Sequence, residues 1–290
     1  MLTLRIGFTD LPEAIAAFFV GMLSKRYTVI RDDIQPEILI FGDVIHGLNN
    51  LRFDGSNCIK LFYTPENHRA WRYQCDYAVT FDHFETDRHR RLPLYVIYDH
   101  DFNLIQQRRR QADDGFEEKK FCSFLVKNPR CAKRNLYFEA LQNYKRVDAG
   151  GPLFNNMGRV VGGSVPDKIA FLNDYKFNLC FENSSHPGYV TEKLLEALCA
   201  RTIPIYWGSP TVALDFNPKA FLNWHDYEDD HDFIRAIIAL DQDDDAYREM
   251  YMQPLFPENR PNRYFEFERF LNWFDQGAAR DAKALIHRSS

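Results

Sequence analysis

One stretch of the sequence decides the fold: Tyr175–Gly208, which reads YKFNLCFENSSHPGYVTEKLLEALCARTIPIYWG. The apolar, strand-forming run Phe177–Phe181 precedes a polar and turn-rich segment, Glu182–Gly188. An apolar helical face follows, made of Val190, Leu194, Leu195, Ala197 and Leu198, and a second apolar run is Ile203–Trp207. The order strand, loop, helix, strand predicts a βαβ unit and therefore a parallel sheet.

The polar loop of this unit lies where parallel sheets bind their ligands. Such sheets bind ligands at the carboxyl ends of the strands, beside the N-termini of helices. Glu192 and Lys193 fall at the predicted helix start. A diphosphate at that place would meet free backbone N–H groups and an ammonium group.

Alternating strands and helices continue through the rest of the chain, which predicts an α/β protein. Strands are predicted at Leu2–Phe8, Tyr27–Ile30, Ile38–Phe41, Ile59–Tyr63, Asp76–Phe81, Leu94–Tyr98 and Phe121–Val126. Helices are predicted at Pro12–Leu23, Lys133–Tyr144, Asp226–Leu240, Ala246–Pro254 and Arg263–Phe274. Thr86–Arg91 is interpreted as a charged connector and Gly277–Ser290 as a fraying tail.

A glycine- and turn-rich segment, Gly150–Gly163, predicts the position of a domain boundary. We therefore expect one domain over residues 1–148 and a second over 149–262, followed by a C-terminal helix and tail over 263–290. The βαβ unit falls in the second domain.

Composition narrows the classes of function. The 290 residues are 45% hydrophobic and 27% charged with a net charge of −5, so duplex nucleic acid is not expected as a partner. The six cysteines form no C-x-x-C pair, which favours reduced thiols over disulfides or zinc. No apolar run is long enough to span a bilayer, and charges interrupt the first strand too early for a signal peptide. The expected location is the cytoplasm.

Several segments of the sequence resemble the α1,3/4-fucosyltransferases, glycosyltransferase family 10. The signature is carried by Phe181–Ser184, Tyr189–Lys193 and Ile203–Gly208 and continues through Val212–Pro218 and Phe221–Asn223. Upstream, Phe62–Asn67, Cys75–Asp82, and Phe121–Pro129 with Arg134 and Asn135 are similar to other segments of the family. The similarity covers roughly residues 38–274 and is greatest to bacterial, Helicobacter-type lipopolysaccharide fucosyltransferases.

This resemblance implies a GT-B architecture, in which two Rossmann-like domains face a cleft, the first on the acceptor side and the second binding the donor. It implies transfer of L-fucose from GDP-β-L-fucose, with inversion, to GlcNAc of an N-acetyllactosamine-type oligosaccharide or lipopolysaccharide. No metal site and no cofactor are expected to be required, although non-essential stimulation by Mn²⁺ is compatible with it. Peripheral contact with the inner face of the plasma membrane and the oligomeric state are left open.

The resemblance also assigns residues to the donor site. Lys193 and Arg134 match basic positions and would stabilise the departing diphosphate, the first as a point charge and the second as a bidentate fork. Glu192 and Asn183 would hold donor hydroxyls, and Tyr189 would lie near the diphosphate or the fucose. Glu182 would be a second carboxylate near the sugar, or alternatively a strand-end group that caps the next helix.

An inverting transfer also needs a base for the acceptor hydroxyl. Glu66 is the first choice, because it follows the strand Ile59–Tyr63 in a loop expected to face the cleft. Asp82 and His83, at the end of another strand, are the competing candidates. Asp99–Asp101 is not expected to be a metal site, because the implied GT-B architecture needs no metal. Arg108–Arg110 is interpreted as a solvated face rather than a lipid-binding site, and Asp243–Asp245 as a charge run in a solvated turn.

Two alternative functions remain open at this point. One is a GT-B transferase with α1,4 or mixed regiospecificity, or with another nucleotide-sugar donor. The other is a glycan-binding module without catalysis. The presence of Glu192, Lys193 and Arg134 disfavours the module, because a silent relative would be expected to have lost its charged donor residues.

Overall fold

A computed structural model describes residues 2–110 and 118–289, which form two α/β units. One unit contains the described residues up to Ile97 together with those from Arg263 onward, and the other spans Tyr98–Asn262. Each unit is built on its own sheet, and every strand pair in both sheets is parallel. The α/β class and the parallel sheet expected from the sequence are confirmed.

The helices and strands have the following bounds in chain order. The first unit begins with β1 (Leu2–Thr9), α1 (Glu13–Leu23), β2 (Tyr27–Arg31), β3 (Ile38–Phe41), β4 (Ile59–Tyr63), β5 (Tyr77–Thr80), β6 (His89–Arg91) and α2 (Leu94–Tyr98). The second unit contains α3 (Asn103–Arg110), β7 (Lys120–Phe124), α4 (Ala132–Tyr144), β8 (Val147–Ala149), α5 (Val165–Asn173), β9 (Tyr175–Phe181), α6 (Glu192–Cys199), β10 (Ile203–Trp207), β11 (Leu222–Asn223), α7 (Asp230–Gln242) and α8 (Asp244–Tyr251). The chain then adds α9 (Phe267–Phe274) and α10 (Arg280–Ser289) to the first unit.

The two sheets share one topology. The first has the strand order β2-β1-β3-β4-β5-β6, and the second has the order β11-β10-β9-β7-β8. In each sheet the first strand lies beside both the second and the third, so the strand order reverses next to it. Open α/β sheets bind ligands at this switch point, outside the carboxyl ends of the strands. The switch points here are β1/β3 and β7/β9.

The βαβ unit predicted from the sequence is present. β9 and β10 pair in parallel from Phe177 opposite Ile203 to Phe181 opposite Trp207, and α6 connects them. Leu194, Leu195 and Leu198 on α6 are buried. The strands β3 and β4 are buried at every residue, which is typical of parallel strands covered on both faces.

The boundary between the units differs from the expected one near residue 148. It lies between Ile97 and Tyr98, because β7 and β8 join the second sheet: β7 pairs with both β8 and β9. The glycine-rich segment Gly150–Gly163 is therefore a loop inside the second unit. Gly150 packs so closely there that a Cβ atom would lie 2.8 Å from the Phe171 ring.

Two short segments of the first unit differ from their predictions. Leu94–Tyr98 is a helix and not a strand, because an apolar run of five residues has no period that separates the two. Thr86–Arg91 contains the edge strand β6 where a connector was expected. Its charge is accommodated because buried Arg91 donates from Nε to the Phe81 carbonyl at 2.8 Å and stacks over the Tyr264 ring.

The C-terminal segment is ordered helix rather than a fraying tail. A π-helical turn, Asp275–Ala279, joins α9 to α10, and Ala278, Ala279 and Ala282 are buried. A Cβ on Gly277 would lie 2.7 Å from Tyr77, and Asp281 accepts a 2.7 Å hydrogen bond from the Tyr77 hydroxyl. These contacts with β5 are long-range, so the local sequence of small residues does not reveal them.

The charged run after residue 106 is described only in part. Arg108–Arg110 fall at the end of α3, and residues 111–117, with Asp113, Asp114 and Glu117, lie outside the described residues. Of the helices in the described ranges, none combines the length and hydropathy that crossing a membrane requires.

Candidate active site

Glu182 follows β9 at the switch point of the second sheet and is fully buried. Its Oε1 accepts from the Thr191 N–H and its Oε2 from the Thr191 hydroxyl, both at 2.7 Å. Burial raises the pKa of Glu182, although Lys193 acts in the opposite direction. The carboxylate therefore connects the start of α6 to the end of β9, which agrees with the capping alternative. Both of its oxygens already accept hydrogen bonds from Thr191, which limits its capacity to accept from sugar hydroxyls.

Lys193 lies at the first turn of α6, with its side chain 23% exposed. Its Nζ is 3.1 Å from Glu182 Oε2, 2.8 Å from Thr191 Oγ1 and 3.4 Å from Glu192 Oε1. The ammonium group is thus positioned between two carboxylates while part of the side chain reaches the surface. An anion that approaches this helix start meets a positive charge whose position is already defined.

Glu192 is the first residue of α6, and its side chain is 21% exposed. Burial opposes its ionisation, but Lys193, the backbone N–H of Glu192 itself and Lys168 hold its pKa below the ordinary value. Glu192 is therefore an ionised acceptor for hydroxyl groups at neutral pH.

Arg134 on α4 is fully buried at the same switch point. Its Nη1 donates to the Phe181 carbonyl at 3.1 Å and to Asn183 Oδ1 at 3.2 Å, while Nη2 donates to the Asn128 carbonyl at 2.6 Å. Nε has no hydrogen-bond partner within the described residues. Burial lowers the pKa of this guanidinium. A direct phosphate contact would use Nε or exchange one of the existing bonds.

Asn183 is half-buried beside Arg134, and Tyr189 is fully buried. The loop that carries both is fastened to the loop after β10, because Gly188 N donates to the hydroxyls of Ser209 and Thr211 at 2.9 and 3.0 Å. The structure therefore brings Arg134, Glu182, Asn183, Tyr189, Glu192 and Lys193 to one strand end. Tyr189 lies under this site as packing rather than on its surface.

The acceptor-side candidates lie at the carboxyl ends of two adjacent strands in the first unit. Glu66 follows β4 in a half-buried loop, while Asp82 and His83 follow β5. Asp82 is engaged by two donors, because its Oδ1 accepts from Arg69 and its Oδ2 from the Thr80 hydroxyl, both at 3.0 Å. Arg69 also donates to Asn67, next to Glu66. Asp82 therefore serves as an anchor for the Glu66 loop, which weakens it as a base.

The sequence interpretation missed three residues at the carboxyl ends of these strands, namely Asp43, Thr64 and Arg69. Asp43 directly follows β3 after a glycine, and Thr64 directly follows β4, so strand-end position was a usable signal for both. The pairing of Arg69 with Asp82 had no such signal, since the two residues meet only through the tertiary fold.

Family models match both halves of the chain. Residues 117–253 match the model described as glycosyltransferase family 10 (fucosyltransferase), C-terminal, and residues 6–98 match the α-(1,3)-fucosyltransferase FucT N-terminal domain. A curated Helicobacter pylori relative, α-(1,3)-fucosyltransferase FucT, is 35% identical over 86% of this chain. The chain spans only 58% of the length of that relative.

Solved structures agree with the sequence relatives. A crystal structure of an α1,3-fucosyltransferase with GDP is 30% identical, with a TM-score of 0.79, and covers 94% of this chain and 89% of its own. A crystal structure of an α1,3-fucosyltransferase with GDP-fucose is 28% identical, with a TM-score of 0.78, over 95% and 90% of the two chains. Two all-parallel α/β units of this kind define a GT-B-like glycosyltransferase fold. The chain belongs to glycosyltransferase family 10, the fucosyltransferase family.

Proposed function

We propose that this chain is an inverting α1,3-fucosyltransferase that moves L-fucose from GDP-β-L-fucose to GlcNAc of an N-acetyllactosamine-type glycan. The observation that carries the proposal is the match, along nearly the whole chain, to an α1,3-fucosyltransferase solved with GDP-fucose. The acceptor is an oligosaccharide of this type, either free or as part of lipopolysaccharide.

The second unit supplies the donor half of the reaction. Lys193 presents a partly exposed ammonium group at the start of α6, where backbone N–H groups also favour an anion. It would neutralise the charge that develops on the departing diphosphate. Glu192 and Asn183 would form hydrogen bonds with hydroxyl groups of GDP-fucose. Arg134 would hold the end of β9, and it would reach the phosphate by exchanging one of its present hydrogen bonds for a phosphate oxygen.

The first unit supplies the base. In a single displacement, the acceptor oxygen bonds to C1 of fucose as the bond from C1 to the phosphate oxygen breaks. The hydroxyl proton passes to the Glu66 carboxylate, and GDP departs with the electron pair of the broken bond. His83 is half-buried beside Asp82 and stays the alternative base.

An exposed tryptophan lies in the same loop as the proposed base. Trp71 is 77% exposed, five residues after Glu66, and Tyr73 ties this loop to the loop after β3 by accepting from Val44 N at 3.2 Å. An indole face suits the apolar face of a sugar ring, because the contact buries C–H groups without removing hydroxyls from water. Trp71 would therefore contact the acceptor glycan.

No metal ion is required in this proposal, because Lys193 and Arg134 provide the positive charge at the diphosphate. Within the described ranges, no group of three or more His, Cys, Asp or Glu side chains is arranged to hold a metal ion.

The test is turnover of a panel of nucleotide sugars against type 1 and type 2 glycan acceptors, followed by linkage analysis of the product. We expect GDP-fucose to be the preferred donor and the product to carry α1,3-linked fucose on GlcNAc. Preference for another nucleotide sugar, or an α1,4 product alone, would overturn the proposal. Binding of glycan without turnover of any donor would favour a non-catalytic module.

A further inference from the structure

A buried carboxylate at the switch point of the first sheet has no part in the chemistry above. Asp43 follows β3 after Gly42, and its side chain is fully buried. Gly42 is needed at this point because a Cβ atom would lie 1.8 Å from the Asp10 carbonyl oxygen, at the end of β1. The backbone that follows β3 thus packs directly on the backbone that follows β1, next to Asp43.

Both carboxylate oxygens of Asp43 accept hydrogen bonds. Oδ2 accepts from the Thr64 hydroxyl at 2.6 Å, and Oδ1 accepts from the Ile45 N–H at 3.1 Å. His68 Nδ1 lies 3.5 Å from Oδ2. The Thr64 contact is the shortest of the three.

Thr64 connects Asp43 to the backbone of the proposed base, Glu66. The Glu66 N–H donates to Thr64 Oγ1 at 3.0 Å. A hydroxyl has one proton and two acceptor lone pairs, so Oγ1 can donate to Asp43 and accept from Glu66 at the same time. Thr64 is itself fixed, because it is fully buried and its N–H donates to the Val79 carbonyl of β5.

The turn that presents Glu66 closes behind it. The His68 N–H donates to the Glu66 carbonyl at 2.6 Å, so both backbone polar groups of Glu66 are held. Burial raises the pKa of the Tyr63 phenol, and the charges of Glu66 and Asp43 raise it further.

We propose that Asp43 and Thr64 are positioning residues that hold the backbone of Glu66 for the transfer step. The inference rests on the proposed function, in which Glu66 receives the acceptor proton. Thr64 acts on Glu66 through the backbone, because its Oγ1 accepts from the Glu66 N–H. Their effect is on the geometry of the base.

Variants of Thr64 separate geometry from general stability. Thr64→Val keeps the shape but removes the hydroxyl, which leaves the Glu66 N–H and one Asp43 oxygen without their bonds. We expect turnover to fall about 10- to 100-fold, since displacement of a catalytic group by about 1 Å has effects of that order. Thr64→Ser keeps the hydroxyl and should recover most of the turnover.

Asp43→Asn alters the same contact between Asp43 and Thr64 from the other partner. An amide has one acceptor oxygen where the carboxylate has two, so either the Ile45 N–H loses its acceptor or the amide nitrogen faces Thr64 Oγ1 and the Thr64 hydroxyl can no longer donate at this contact. We expect turnover to fall as it does in Thr64→Val. The GDP dissociation constant, measured by titration calorimetry, should stay unchanged in both variants, because the donor residues lie in the other unit.

The control for loss of a buried hydroxyl is Thr202→Val in the second unit. Thr202 is buried and donates to the carbonyls of Leu172 and Tyr175. Its loss should lower the melting temperature without the fall in kcat. If Thr64→Val lowers kcat no more than this control does, the inference fails.

A double-variant cycle with Glu66→Gln decides whether Thr64 acts through the base. We expect Thr64→Val to cost turnover in the unmodified protein and almost nothing further in the Glu66→Gln protein, because effects through one group are not additive. Equal losses in both backgrounds, or full turnover of Glu66→Gln alone, would overturn the inference. If the unmodified protein transfers no fucose at all, the proposed function fails instead.

Discussion

At the scale of single residues, the contacts of Lys193 fix the position of its ammonium group. Its ammonium group lies within 3.4 Å of the carboxylates of Glu182 and Glu192. Those partners fix its position before a ligand arrives. A preorganised charge of this kind stabilises a developing negative charge without rearrangement.

We predict that Lys193→Met lowers turnover about 100- to 1,000-fold, the range found when one preorganised donor is removed. Steady-state transfer from GDP-fucose is the measurement, and Lys219→Met, at an exposed lysine of the same unit, is the control. Retention of turnover would remove Lys193 from the donor site.

Loss of Lys193 also leaves Glu182 buried without its cation, so stability must be separated from chemistry. The double variant Glu182→Gln with Lys193→Met removes that unpaired charge. It should melt at a higher temperature than Lys193→Met and still fail to transfer fucose.

The burial of Glu182 predicts that the unfolding free energy depends on pH. Because burial raises its pKa in the folded protein, the folded state holds its proton more tightly than the unfolded state does. The unfolding free energy contributed by Glu182 therefore falls as pH rises above about 4.5, the ordinary value. Denaturant unfolding from pH 4 to 8 should show this decline in the unmodified protein and less of it in Glu182→Gln. Glu249→Gln, at an exposed glutamate, should leave the slope unchanged.

At the scale of elements, α6 is held by a buried polar cluster one turn beyond its start. Glu196 is buried, and it is bonded to Lys168 of α5 and to the Tyr98 hydroxyl, while Lys168 Nζ donates to that hydroxyl at 2.8 Å. Burial raises the pKa of Glu196, and the charge of Glu192 adds to the effect. The cluster connects α5 and α6 and so sets the position of the helix that carries Lys193.

We predict that Lys168→Ala lowers the unfolding free energy by about 1–3 kcal/mol, because it leaves Glu196 buried without its cation. This loss of unfolding free energy is smaller than that for a fully buried pair, because Lys168 is 21% exposed. Urea unfolding measures it, with Lys219→Ala as the control. An effect no larger than the control would mean that the cluster does not hold α6.

Two acidic patterns find their explanation at this scale. Asp99 accepts from the N–H groups of Leu104 and Ile105 at 2.9 and 3.1 Å, at the start of α3. Asp243 accepts from the Ala246 N–H at 2.9 Å and caps α8. Both carboxylates satisfy free N–H groups at helix starts, so Asp243 is a helix cap where a solvated turn was expected.

At the scale of the whole molecule, the proposed chemistry divides between the two units. The donor residues lie at the β7/β9 switch point of the second sheet, and Glu66 lies at the carboxyl edge of the first. Each sheet therefore uses the same edge for its part of the reaction, as open parallel sheets do.

We predict that EDTA leaves fucose transfer unchanged, because in the proposed mechanism Lys193 and Arg134 supply the positive charge at the diphosphate. The measurement is turnover of metal-stripped protein with and without added Mn²⁺. A modest rise with Mn²⁺ is compatible with this prediction. Complete loss in EDTA that Mn²⁺ restores would show that the proposed set of cations is incomplete.

The sequence determined the elements whose signal is local. The strands β3, β4 and β10 have the predicted bounds, since buried parallel strands are short apolar runs between turn residues. The βαβ unit, the strand-end position of Glu182 and the helix-start position of Lys193 followed from the same pattern. The family resemblance rested on these contiguous segments, and the comparisons confirm it.

The tertiary structure alone decided what depends on contacts between distant segments. The boundary between Ile97 and Tyr98 exists because β7 pairs with both β8 and β9, and the C-terminal helical segment contacts Tyr77 through Gly277 and Asp281. Arg134, which the resemblance assigns to the diphosphate, is fully buried and donates to the carbonyls of Asn128 and Phe181. Local periodicity determines an element, whereas burial and hydrogen-bond partners depend on which elements become neighbours, and no local pattern contains that information.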